Sequence, residues 1–254
     1  ALKYSRGQES SADQAALTYL EAIDRSGAGL VESFQKLQNE QIIHGQRVNP
    51  YMQSHPLAIQ RVAALDERAK ASKSYDVKDS PAEIERLRLI QAKIKGFMQD
   101  VNSTLRQYPP SDQSDAAHYA RAVAFYRSTD LDRALKEIGV LLEKYPDNPY
   151  YNELKGQMLF EFGNIAESIE PHRRSVELAP GKALLLINHG RALAATEDAD
   201  KIAAAVKELK SALLLEPDNS FGWFELARAY GALNNEPLAD LAMAESRYNE
   251  GAKP

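Results

Sequence analysis

Two acidic side chains near the start of the chain have a spacing that could do chemistry. In Ser5-Arg6-Gly7-Gln8-Glu9-Ser10-Ser11-Ala12-Asp13, Glu9 and Asp13 stand four residues apart, which on a helix puts both carboxylates on one face. Such a pair can serve a metal, or it can be an acidic surface near a helix start, where the helix dipole favours negative charge. Histidine is the natural co-ligand, and the chain has five. They are followed by Gly45, Pro56, Tyr119, Arg173 and Gly190, so no His-Glu pair exists and the His-Glu-x-x-His arrangement of a hydrolytic zinc site cannot be assembled. The absence of cysteine removes thiol nucleophiles, thiolate ligands and disulfides. There is no glycine-rich phosphate loop and no glycine-framed serine elbow either. The chain as it stands is expected to be inert as a peptidase.

A second set of residues suits binding rather than catalysis. Arginines stand among aromatics in the second half of the chain: Arg127 after Tyr126, Arg191, and Arg228 between Phe224 and Tyr230. The elements that hold them are read from the prolines. Tyr145-Pro146, Ala179-Pro180 and Glu216-Pro217 each close an apolar helical stretch, 34 and then 37 residues apart, and each proline stops a helix. Counted back from these stops, the places where paired helices cross most closely hold Ala122, Ala134 and Leu141, then Gly156, Ser168 and Ser175. The next two units give Gly190, Ala205 and Ala212, and Ala227, Ala239 and Ser246. All but Leu141 are small, as a close helix crossing demands. The three extra residues of the third unit fall in the polar stretch 196–201, where a longer loop costs little.

These residues resemble the tetratricopeptide repeat family. The resemblance implies four helix-turn-helix units, near 115–147, 149–181, 183–218 and 220–252, stacked into a superhelix with the first helix of each unit on the inner wall. The wall positions are then Tyr119, Val123, Tyr126 and Arg127, followed by Glu153, Gln157 and Phe160, then Ile187 and Arg191, and finally Phe224 and Arg228. Arg191 and Arg228 take the same place in adjacent units and are expected to form a basic ladder for a peptide carboxylate or an acidic side chain; a solvated groove face is the alternative. His172 and His189 read as ordinary helix residues.

Before the repeats, apolar spacing predicts helices over 12–24 and 28–42 with Ser26-Gly27 as the turn, and over 57–71 and 81–99. Between the second and third, turn residues run from Asn49-Pro50 to His55-Pro56. A short helix through Leu105 leads to Tyr108-Pro109-Pro110, which marks the boundary between a first domain, 1–110, and the repeats, 111–254. No strand is indicated, so the fold class is all-α.

The order Ser-Arg-x-x-Glu-x-x-Ala-Asp ahead of an apolar helix resembles the zinc metallopeptidases related to CAAX prenyl proteases and HtpX. The resemblance implies that Glu9 is the third zinc ligand and that Asp13 orients a ligand histidine. Tyr51-Met52-Gln53-Ser54-His55-Pro56, with Arg61 following, is similar to the same family, and makes His55 a further metal candidate, with capping of the next helix as its alternative. Coupled to C-terminal repeats, the whole is similar to the periplasmic BepA-like branch, which acts in outer-membrane protein quality control. Zinc is then expected in a longer parent enzyme whose catalytic helices lie upstream of Ala1, and none on this chain alone. The competing reading is a scaffold or adaptor without peptidase activity.

Charge narrows the partners. With 31 basic against 36 acidic residues, a net charge of -5 and a pI near 5.7, the chain has no excess cation for nucleic acid or an anionic membrane. No apolar run nears the roughly 20 residues of a membrane span. A protein or peptide partner is what the resemblance to tetratricopeptide repeats implies.

Overall fold

The computed structural model describes residues 6–44 and 59–251. Among these the chain is all-α, with thirteen helices and no strand. It divides into two compact units, Ala1–Ile84 and Glu85–Pro254.

The first unit contains α1 (Arg6–Ala22), α2 (Ala28–His44), α3 (Ile59–Ala71) and the start of α4 (Pro81–Met98). Leu17, Val31, Leu65 and Ala69 are buried together, with Leu30, Phe34 and Tyr75 packed against them. The turn between α1 and α2 is closed by Ser26, whose hydroxyl donates to the Tyr75 carbonyl at 2.5 Å. At Gly27 a Cβ would lie 2.6 Å from Leu17 Cδ2 and 3.2 Å from Ala69 Cβ, so a larger residue there must displace the buried Leu17 side chain. Arg25 is tied to Asp79 at 3.1 Å and to Glu83, which fixes the entry to α4.

The second unit holds the rest of α4, then α5 (Val101–Gln107), α6 (Asp115–Arg127), α7 (Leu131–Lys144), α8 (Pro149–Glu161), α9 (Ile165–Leu178), α10 (Ala183–Ala194), α11 (Ala199–Leu215), α12 (Ser220–Ala232) and α13 (Glu236–Asn249). From α6 onward the helices pair as hairpins, each packed on its neighbours in chain order. Helices α7, α9 and α11 end at Tyr145, Ala179 and Glu216, with nearly identical backbone angles, immediately before the three prolines. Side chains of Ser114, Asp130, Asn148, Asp198, Asn219 and Asn235 accept backbone N–H groups at helix starts, which satisfies donors a helix leaves unpaired. Thr129, Gly163 and Asn234 take positive φ in the turns between hairpin helices.

The twelve crossing positions are buried, except that Ala239 is half-buried. Their size is enforced by contact: a Cβ on Gly156 would sit 2.7 Å from the His172 ring, and one on Gly190 would sit 2.8 Å from Leu209 Cγ. Residues 85–110 pack with the repeats: Leu89 and Phe97 adjoin the core of Ala122, Val123, Ile138 and Met158. The compact units therefore part inside α4, ahead of the Pro109-Pro110 turn that the sequence marks as a boundary. Arg121 fastens that turn to α6, donating to the carbonyls of Pro109 at 3.0 Å and Asp112 at 2.8 Å.

Candidate partner-binding groove and the acidic motif

Helix α1 carries Glu9 and Asp13 on one face, as their spacing requires, and α3 brings Arg61 to both. Arg61 engages Asp13 through Nε and through Nη2 at 2.7 Å, and its Nη1 lies 2.8 Å from Glu9 Oε2. The guanidinium stands 5.5 Å from the Phe34 ring centroid. The hydrogen bonds that Arg61 donates to Asp13 are the main cause raising its pKa, so the cation is fixed. Arg61 thus pairs with both of the carboxylates that the sequence sets apart for metal chemistry and offsets one of their two charges. Among the described residues no three His, Asp or Glu side chains converge on one point, and Glu9 and Asp13 do not by themselves supply the three protein ligands a catalytic zinc takes. His55 lies outside the described residues.

The inner wall of the repeats is made by the first helices of the hairpins. A cavity of about 340 Å³ opens there, lined by Glu153, Gln157, Phe160 and Glu161 of α8, Leu184, Asn188 and Arg191 of α10, and Phe221 of α12, with His172 of α9 behind. Arg191 lies flat against aromatic faces, 4.3 Å from the Phe160 centroid and 5.7 Å from that of Phe221, an arrangement that holds a guanidinium while leaving its edge donors usable. Asn188 donates to Glu153 Oε1 at 3.0 Å, and Gln157 donates to Glu161 Oε1 at 3.2 Å. Burial pushes the Glu153 carboxyl up, against the pull of Lys93 and Asn188.

Of the expected wall residues, Glu153, Gln157, Phe160 and Arg191 meet in this cavity. Tyr126 and Arg127 line a separate hollow with Thr129, Glu161 and Phe162, where Tyr126 donates to Glu161. Phe224 and Arg228 are partly exposed beyond the cavity. Three expectations are corrected. Tyr119, Val123 and Ile187 are buried core residues, because the face of each first helix that meets its partner helix also carries apolar side chains. Arg127 is spent on structure: its Nη1 donates to the carbonyls of Gly96 at 2.8 Å and Gln99 at 2.6 Å, closing the end of α4. Arg191 and Arg228 do converge, but on a carboxylate of their own: Glu225 lies 3.4 Å from Arg191 Nε and 3.0 Å from Arg228 Nη1. Glu225, Asn188, Leu184 and Phe221 were not singled out by the sequence. The 35-residue interval between Glu153 and Asn188, close to one repeat, is the signal that could have found that pair. His172 is packed on Gly156, and His189 pairs with Glu208 at 2.8 Å.

Comparison with known proteins finds a likeness for each part. Residues 1–69 match the model of peptidase family M48. Over those residues the chain is similar to M48 peptidases. Peptidases of family M48 are in general zinc-dependent. The matched segment is followed by helical hairpins of the tetratricopeptide type, whose fold is shared by solved structures at low identity. MamA AMB-1 is 16% identical with a TM-score of 0.54, over 66% of this chain and 98% of its own. MamA MSR-1 is also 16% identical, with a TM-score of 0.52 over 68% and 98%. YrrB, described as a TPR protein with an unusual peptide-binding site, is 13% identical with a TM-score of 0.52 over 75% and 92%. No curated protein matches the sequence. Among the described residues no helix is long and apolar enough to cross a membrane.

Proposed function

We propose that the repeats bind an extended segment of a partner or substrate polypeptide and that, in the M48 peptidase, they bring it to the metal centre. The observation that carries this reading is the cavity on α8, α10 and α12, where Arg191 is held between the rings of Phe160 and Phe221. Aromatic walls take an apolar side chain, the Arg191 edge takes a carboxylate or carbonyl, and the amides of Gln157 and Asn188 suit an extended backbone. Tyr126, Phe224 and Arg228 extend the contact surface on either side. Glu9 belongs to the same reading as a zinc ligand completed by side chains other than those described, with His55 as a further candidate and with Asp13 and Arg61 as its support. The BepA-like pattern favours a periplasmic location and a part in outer-membrane protein quality control.

The test is binding of a fluorescein-labelled, unstructured peptide rich in aromatic and acidic residues, followed by anisotropy. The Phe160→Ala, Phe221→Ala double variant is expected to bind about tenfold more weakly, as loss of aromatic anchors does, with its helical circular dichroism retained. Equal affinity of the variant and the parent chain would remove the groove from the reading.

A further inference from the structure

The cavity on α8, α10 and α12 holds two nitrogens that the chain itself leaves without a hydrogen bond. The polar side chains around them are paired with one another, Asn188 with Glu153 at 3.0 Å and Gln157 with Glu161 at 3.2 Å. His172, 2% exposed, closes the back of the cavity, and its Nδ1 is buried with no partner. Arg191 lines the same cavity, and its Nε is likewise buried without a hydrogen bond, although Glu225 Oε1 lies 3.4 Å away. The two side chains are close enough for the charge of Arg191 to act on the imidazole. A buried polar atom without a partner costs stability, so two of them gathered at one cavity call for a ligand that supplies both partners.

The chemistry of the two nitrogens says which group that is. Burial lowers the His172 pKa to about 4, so at neutral pH the ring is uncharged, with one nitrogen a donor and the other an acceptor. The Gly156 backbone raises that pKa, as a carbonyl accepting the ring N–H does; Nδ1 has no partner, so the hydrogen sits on Nε2 and Nδ1 is the acceptor. The guanidinium of Arg191 can only donate. A hydroxyl serves both, giving its hydrogen to Nδ1 and accepting one from Arg191. A carboxylate serves Arg191 but sets oxygen lone pairs against Nδ1, and a hydrocarbon side chain serves neither. The walls say what carries the hydroxyl. Phe160 and Phe221 line a space of about 340 Å³, which a phenol ring covers and the short side chains of serine and threonine do not.

We propose that this cavity selects tyrosine: a partner segment inserts a tyrosine side chain whose hydroxyl donates to His172 Nδ1 and accepts from Arg191. The inference rests on the groove being a peptide site and adds which side chain that site chooses. His172 is then a specificity-determining residue, and phenylalanine is disfavoured because it would bury both nitrogens unpaired.

The experiment uses the full chain and one fluorescein-labelled, unstructured peptide in two forms, every aromatic residue being tyrosine in the first and phenylalanine in the second. Anisotropy is expected to show the phenylalanine form binding about tenfold more weakly, the worth of a hydrogen bond to a buried group. His172→Leu removes the acceptor and is expected to bring the two forms close to equal affinity; circular dichroism checks its helices, and the two peptides on the parent chain decide the matter even where this variant does not fold. Equal binding of both forms to the parent, with both weakened by the Phe160→Ala, Phe221→Ala changes, keeps the groove and overturns tyrosine selection. So does a preference for tyrosine that His172→Leu leaves unchanged, since the hydroxyl is then read elsewhere. Binding of both forms that the double variant leaves untouched removes the groove and this inference with it.

Discussion

Glu225 and Arg228 are paired at 3.0 Å across one turn of α12 with the carboxylate 1% exposed, and Arg191 of the preceding hairpin approaches the same carboxylate at 3.4 Å. Burial pushes the Glu225 carboxyl up, and Arg228 and then Arg191 pull against it without cancelling the effect. A carboxyl raised above its ordinary value takes up a proton while exposed carboxylates are still charged, so on acidification Glu225 loses charge first. Both arginines then become available to an acidic ligand. Affinity for an acidic peptide is expected to be higher at mildly acidic than at neutral pH. A Glu225→Gln variant should already bind at the tighter level at neutral pH and show a flat profile; anisotropy titrations at the two pH values read both outcomes.

His172 gives the fold a pH dependence of the other sign. Burial lowers its pKa to about 4, helped by the charges of His189 and Arg191 and opposed by the hydrogen bond with the Gly156 backbone. The folded state binds the proton less readily than the unfolded chain. The stability associated with neutral His172 is therefore complete above the unfolded value near 6.5, and it is lost as pH falls toward the folded value. At about pH 4.5 the loss is about 2–3 kcal/mol relative to pH 7. Urea unfolding at the two pH values measures it, and a His172→Gln variant should lose correspondingly less between them.

Arg121 is 2% exposed and holds four acceptor oxygens at once. It donates to Glu137 Oε1 at 3.0 Å and Oε2 at 2.9 Å, as well as to the Pro109 and Asp112 carbonyls. Arg121→Met keeps the stem and removes the donors, leaving a half-buried carboxylate and two carbonyls without it. The expected cost is about 3–5 kcal/mol, seen in denaturant midpoints. Arg121→Lys should recover only part of this, because one ammonium cannot reproduce the planar fork.

What the sequence made legible here is what short-range physics dictates. Pro146, Pro180 and Pro217 stop helices wherever they occur, and close helix crossings require small side chains at Gly156, Ser168, Gly190 and Ala205, so the architecture could be read without contacts. Arg121 could not be read, because its partners come from α7 and from a turn 9 to 12 residues upstream. Spacing also does not say which of two apolar faces of a first helix turns inward, which is why Tyr119, Val123 and Ile187 were assigned to the wall and lie in the core. Glu225 escaped notice because its role depends on Arg191, one repeat away.

Arg61 is the cation that lets Glu9 and Asp13 sit side by side. Its side chain is 15% exposed, against 16% and 8% for the two carboxylates. Replacing it by leucine leaves two poorly solvated acids facing each other, and α1 should loosen from α3. A loss of about 3 kcal/mol is expected, confined to the first unit. Hydrogen exchange resolves this: faster exchange in α1 and α3 with unchanged protection in α6–α13 is the expected pattern. Faster exchange throughout the repeats would show that Arg61 does more than hold the acidic pair.

The repeat packing can be tested with two alanines. Gly156→Ala places a methyl 2.7 Å from the His172 ring, which is buried and cannot retreat into solvent. The helices must part or the ring must leave its position, at a cost of about 1–3 kcal/mol. Gly139 also lies within a helix, but a Cβ there meets nothing within 4 Å. Gly139→Ala should therefore gain the helix preference of alanine, about 0.5–1 kcal/mol. Opposite shifts of the denaturation midpoint are expected from the same chemical change. Equal shifts would mean that the crossing at Gly156 is looser than the contacts with His172 indicate.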